Sequence, residues 1–134
     1  MTIAAGIEFM APRLSIVIAT YNAAATFERC LESVFAQTFR DWELVVIDGA
    51  SSDGTADLVR RHADRIAYWQ SARDSGIYDA WNQAIARANG EYVAFIGADD
   101  TWSTERSLST LFDRVGSEAF DLVTSQGRLV DDNG

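Results

Sequence analysis

The stretch "LSIVIAT", residues 14–20, decides how the rest of the chain is read. Ile16, Val17, Ile18 and Ala19 follow one another with no polar residue between them. A run this short falls below ordinary helix length, and its β-branched content suits a strand buried on both faces. Such a strand belongs inside a parallel sheet, and a parallel neighbour can be reached only by a crossover, usually a helix. Both are present. "AATFERCLESVFAQ" (24–37) sets Phe27, Cys30, Leu31, Val34 and Phe35 at helical spacing, and "WELVVID" (42–48) is a second buried strand.

The same alternation continues outward. "GASSDGT" (49–55) carries turn and cap residues, with Asp53 or Thr55 as candidate cap for a helix over "ADLVRRHAD" (56–64). "IAYWQS" (66–71) suits a third strand. Residues 76–88 read as a helix whose apolar face is Ile77, Ala80, Trp81, Ala84, Ile85 and Ala88. Asn89-Gly90 ends it, because glycine tolerates the left-handed backbone common after a helix. "EYVAFIG" (91–97) is a fourth strand, "TERSLSTLFDRV" (104–115) a further helix and "FDLVTSQ" (120–126) a fifth strand. The fold class is therefore α/β, a mostly parallel sheet with helices on both faces. Pro12 marks the domain edge, and residues 1–12 read as a flexible tail.

Composition narrows the function. The 134 residues suffice for one domain with a proper core, and 48% apolar content describes a globular chain. No apolar run reaches the roughly 18 residues that span a bilayer. Twenty acids against eleven bases give a net charge of −9, which repels phosphate backbones and argues against nucleic acid. An anionic small molecule would need a local cation or oriented N–H groups to hold it. Cys30 is the only cysteine, which rules out an internal disulfide and fits a reducing compartment. With one His and one Cys, both on expected helices, neither a thiol–imidazole pair nor a zinc cluster is credible.

In parallel sheets ligands bind beyond the carboxyl ends of the strands. The polar clusters fall there: "TYN" after the first strand, "DGASSDG" after the second, "SARDSG" after the third and "ADD" after the fourth. Asp99 and Asp100 suit a hard divalent cation, Mg²⁺ or Mn²⁺, completed by substrate phosphates; a turn and helix cap is the plainer alternative. Asp48 could accept from a ribose or base, or from the backbone N–H groups of the loop that follows. Gly49 and Gly54 allow either close approach of a ligand or a tight turn. Tyr21 could stack a nucleobase or lid the core. Arg73 suits a diphosphate or base contact, though a surface arginine is commonly just solvated. Asp79 and Asn82 lie near a helix start, Asn82 as a bridge between loops, and His62 reads as a surface residue. Neither a dinucleotide glycine pattern nor a phosphate-loop lysine occurs.

Taken in order, "TYN", "QTFRDWE", "DGASSDGT", "GIYDAWN", "ANGEY" and "ADD" resemble the nucleotide-sugar-binding part of family 2 inverting glycosyltransferases, over residues 13 to about 125. The resemblance implies a GT-A (Rossmann-like) sheet, cut off after about five strands, with the acceptor-binding part and the general base beyond residue 134. It implies that Thr20 and Tyr21 line the nucleotide pocket and that Asp48 lies near base and ribose. Asp99 and Asp100 match the family's Asp-x-Asp motif, with Asp100 the direct Mn²⁺ or Mg²⁺ ligand and Asp99 beside the ribose or sugar. The implied donor is a nucleotide sugar, a UDP-sugar in particular. The implied acceptor is a glycan or lipid-linked glycan of bacterial surface polysaccharide, and the implied location is the cytoplasm, peripheral at the inner membrane face in a longer parent. A non-catalytic sugar-nucleotide module and a nucleotidyltransferase are the alternatives; the latter fits poorly, because "TYNAAAT" has no basic residue. Two departures stand out. Gly49 replaces an acid that many relatives carry, and the loop before "GIYDA" lacks their lysine, with Arg73 as a substitute from a different place.

Overall fold

The structure, a computed structural model, describes residues 10–118. Four strands and four helices alternate: β1 Leu14–Thr20, α1 Ala24–Phe35, β2 Trp42–Asp48, α2 Thr55–Arg61, β3 Tyr68–Ser71, α3 Ile77–Ile85, β4 Tyr92–Phe95 and α4 Ser107–Val115. A single 3₁₀ turn, Ala63–Arg65, follows α2. The strands are all parallel and lie in the order β3-β2-β1-β4. The fifth strand expected at 120–126 lies outside the described residues, as does most of the 1–12 tail.

The two apolar runs make the two central strands, and the reason is burial on both sides. Ile16, Ile18, Leu44 and Val46 face one layer, where α1, α2 and α4 supply Phe27, Leu31, Val34, Leu58, Leu108 and Phe112. Val17, Val45 and Ile47 face the other, where, among the described residues, α3 covers them through Ala80 and Ala84. Two alanines let that helix lie close to the sheet, but they leave most of its expected apolar face uncovered. Ile77 is 52% exposed and Ile85 47%. The face read from periodicity is therefore half correct: the core takes the small residues, and Trp81 packs sideways on Phe95, with ring centroids 4.8 Å apart.

Several boundaries shift for identifiable reasons. α2 begins at Thr55, and its N-cap is Gly54 at φ 96°, so neither Asp53 nor Thr55 is the cap residue. Gly90 is not in the left-handed region. A Cβ there would stand 2.5 Å from the Ser15 amide nitrogen, so close strand approach, not helix termination, requires glycine. Just ahead of β1, Glu91 N–H donates to the Pro12 carbonyl. His62 is not a plain surface residue: its Nε2 lies 3.0 Å from Glu28 Oε1 and its ring 5.5 Å from that of Phe35. Buried Gln37 donates to the Thr104 carbonyl and accepts from Leu108 N–H, which fixes the start of α4 against the end of α1. No helix among the described residues is long and apolar enough to cross a membrane.

Candidate functional site

The strand order reverses at β1: the chain runs outward to β3, then returns to place β4 on the other side. In such sheets ligands bind beyond the carboxyl ends of the strands, and here the loops after β1, β2 and β3 meet there. The loops after β1 and β2 are tied together. Asn22 N–H donates to Ser51 Oγ at 2.8 Å, and Ser52 N–H donates back to Asn22 Oδ1 at 2.8 Å. Asn22 and Ala50 both hold positive φ, 47° and 62°. For alanine that conformation is strained and must be held by its surroundings.

Asp48 does the holding. It is fully buried, and its carboxylate accepts from Ser51 N–H, Ser51 Oγ and Ser71 Oγ at 3.1, 2.5 and 2.6 Å. Asp48 organises the loop and does not line the cleft, because a carboxylate taken out of water must be met by donors. Asp53 plays a similar part outside. It accepts from Thr55 Oγ1, Thr55 N–H and Ala24 N–H, and so joins the first residues of α1 and α2. The Thr55 hydroxyl first, and the Ala24 amide next, hold its carboxyl below the usual range.

Above these loops lies a cleft of about 770 Å³. Ala19, Thr20 and Tyr21 form one wall, Gly49, Ala50 and Ser52 a second, and Arg73, Asp74, Gly76, Ile77 and Ala80 the third. Its size suits a nucleotide-sized ligand. Thr20 is buried, and its Oγ1 has no hydrogen-bond partner among the described residues. An orphaned buried hydroxyl costs about 1–3 kcal/mol. Tyr21 is 67% exposed at the rim, so it does not lid the core. Arg73 is the one cation on the cleft wall and makes no ion pair among the described residues. Asp74, which the sequence places beside Arg73 in the same loop without a role, lines the cleft as well. Asp79 accepts from Ser75 N–H and steadies that loop.

Asp99 and Asp100 stand outside the cleft lining, at the end of β4 along the same sheet edge. Both are exposed, and they turn back over Gly97. Asp100 Oδ2 and Asp99 Oδ1 come within 2.7 and 2.8 Å of where a Cβ on residue 97 would stand. Glycine therefore lets the two carboxylates converge. Below them, Cys30 Sγ donates to the Gly97 carbonyl at 3.4 Å. Burial first, then the charges of Asp100 and Asp99, push the Cys30 thiol up to about 12. No third acidic, His or Cys ligand gathers with the pair among the described residues. Two converging carboxylate oxygens fit Mg²⁺ or Mn²⁺, whose remaining ligands are ordinarily water and phosphate oxygens.

Comparison with known proteins accords with this arrangement. The model of the family described as glycosyl transferase family 2 matches residues 15–134. A PGL/p-HBAD biosynthesis glycosyltransferase of Mycobacterium bovis is 38% identical over 118 residues, covering 84% of this chain and 46% of that protein. A putative teichuronic acid biosynthesis glycosyltransferase of Bacillus subtilis, TuaG, is 35% identical, covering 71% of this chain and 39% of its own. The chain thus spans less than half the length of these curated relatives. Among solved structures, a mannosyltransferase of Pyrobaculum calidifontis in complex with GDP-Man and Mn²⁺ superposes with a TM-score of 0.71 at 30% identity, over 81% of this chain and 34% of that one. S. aureus TarS 1–349 in complex with UDP-GlcNAc gives 0.64 at 27% identity, over 77% and 30%. The fold is the GT-A fold of these glycosyltransferases. On its matched sequence and its sheet alike, the chain belongs to glycosyl transferase family 2.

Proposed function

We propose that this chain is the donor-binding part of a metal-dependent glycosyltransferase. It takes a nucleotide sugar, a UDP-sugar in the first instance, and transfers the sugar with inversion to a glycan or lipid-linked acceptor of surface polysaccharide. The observation that carries this reading is the pairing, on one sheet edge, of a nucleotide-sized cleft with an orphaned Thr20 hydroxyl and a pair of converging carboxylates. The solved relatives named above, bound to UDP-GlcNAc and to GDP-Man with Mn²⁺, support a sugar-nucleotide donor.

Each residue then has a physical task. Thr20 Oγ1 hydrogen-bonds the nucleoside, Tyr21 stacks at the rim and Arg73 faces the diphosphate. Asp100 holds the divalent cation directly, with Asp99 beside it toward the ribose or sugar. A bound cation would neutralise charge on the departing nucleoside diphosphate. In a chain of net charge −9, that is the main compensation available to an anionic donor.

Titration calorimetry with UDP in Mn²⁺, repeated in EDTA, tests the reading. Affinity should fall by about tenfold or more without metal, the worth of one charge-assisted contact. Asp100→Ala in Mn²⁺ should reproduce the loss. An affinity indifferent to both would eliminate the metal role.

A further inference from the structure

Gly49 and Asp74 together carry an inference that rests on the donor-site reading above and goes beyond it. Gly49 sits on the cleft wall beside Ala19 and Ala50, so this part of the wall offers no polar side chain of its own. Its backbone is outside the left-handed region, so conformation does not demand glycine here. A side chain there would meet Asp74: a Cβ on residue 49 would stand 3.1 Å from Asp74 Oδ2 and 3.5 Å from Asp74 Oδ1. The carboxylate of Asp74 thus reaches from the β3–α3 loop to the edge of the space that a side chain at 49 would enter.

That carboxylate is only half used among the described residues. Oδ1 accepts from Gly76 N–H at 3.0 Å, which orients the group, while Oδ2 has no hydrogen-bond partner there. Asp74 is the one carboxylate among the described residues that line the cleft, and it is half-buried. An ionised carboxylate can only accept, so it selects ligands that present a donor. Thr20 and Tyr21 lie on the β1 wall of the same cleft, where the nucleoside is proposed to bind.

We propose that Asp74 reads the nucleobase, accepting through Oδ2 from a ring N–H, and so sets donor specificity in place of a side chain at residue 49. Uracil and guanine carry such an N–H on their pairing edge. Cytosine carries a lone pair at the equivalent ring position, which a carboxylate repels. The site therefore favours uridine or guanosine diphosphate sugars over cytidine ones. A plain Asx turn, with Asp74 serving only to cap the loop at Gly76, predicts no such preference.

Calorimetry of the whole chain with UDP, GDP and CDP in Mn²⁺ separates these readings. The unaltered protein should bind UDP or GDP about tenfold or more tightly than CDP, the worth of one hydrogen bond to a charged group. Asp74→Asn keeps the acceptor for Gly76 N–H but can present a donor, so it should erase that preference while thermal unfolding stays put. Moving the carboxylate back, with Gly49→Asp and Asp74→Ala together, should restore it. If all three nucleotides bind and Asp74→Asn leaves the ratio unchanged, Asp74 is a loop cap and the specificity role is overturned. If the unaltered protein binds none of them, the donor-site reading falls, and this inference with it.

Discussion

Cys30 shows how a single residue can register the charge of its neighbours. Its thiol is buried beneath the acidic turn and is pushed up from 9.0 to about 12, by burial first and then by Asp100 and Asp99. In the unfolded chain it ionises near its ordinary value, and in the fold it keeps its proton. Folding is therefore favoured by this group below pH 9, and the contribution is lost as pH rises from about 9 toward 12. The steepest possible loss is about 1.4 kcal/mol per pH unit. Urea midpoints measured across pH 8 to 11 should fall more steeply for the native sequence than for Cys30→Ala. Parallel slopes would mean that the thiol ionises as readily inside as outside. A maleimide should leave the native thiol unlabelled at neutral pH and label it in denaturant, because a protonated, buried thiol is neither nucleophilic nor reachable.

Among the elements, the junction of α1 and α2 is where cross-loop bonds replace a local cap. Each helix begins without a side-chain cap from its own N-cap residue. Asp53 supplies acceptors to Ala24 at one start and Thr55 at the other, while Thr55 Oγ1 accepts from Ala23 N–H. Asp53→Ala should loosen both starts and lower the melting temperature at neutral pH. The folded carboxyl lies below 3.8, so its contribution is present above that value and disappears as pH falls through the lower folded one. The gap between native and variant melting should thus close in strong acid; a gap unchanged there would show that the charge is not what matters. The sequence made one side of this legible, namely that polar residues follow each strand and that helices start there. It could not tell which helix each polar group serves, because Asp53 and Ala24 are 29 residues apart. β1 and β2 were readable over their whole length because both faces are buried. β3 and β4 contract to four residues each at the two ends of the described sheet, where fewer described neighbours extend the pairing. Thr20, Tyr21 and Arg73 were readable as wall residues from their strand-end positions. The burial of Asp48 and the approach of Asp74 to Gly49 were not legible, because both are settled by contacts between the loops after β2 and β3.

At the scale of the whole molecule, charge is distributed unevenly between repulsion and use. Acids exceed bases by nine over the full chain, yet among the described residues only two close pairs join opposite charges, Arg60 with Asp57 and Arg61 with Glu28. Most of the excess is therefore self-repulsive, and it is spread over distances that salt can screen, since the Debye length falls from about 30 Å at 0.01 M to about 8 Å at 0.15 M. Sodium chloride should accordingly raise the melting temperature across that range, for the native chain and for Asp100→Ala alike. Asp99 and Asp100 differ from the rest, because their oxygens converge on one point over Gly97 instead of facing separate regions of solvent. Screening and binding can therefore be told apart. At matched ionic strength MgCl₂ should stabilise the native chain more than NaCl does, since an ion bound only by the folded state adds stability by mass action. The extra increment should vanish in Asp100→Ala while the sodium response persists. A magnesium increment that survives the substitution would assign it to the general acidic surface, and the carboxylate pair would then be an ordinary turn.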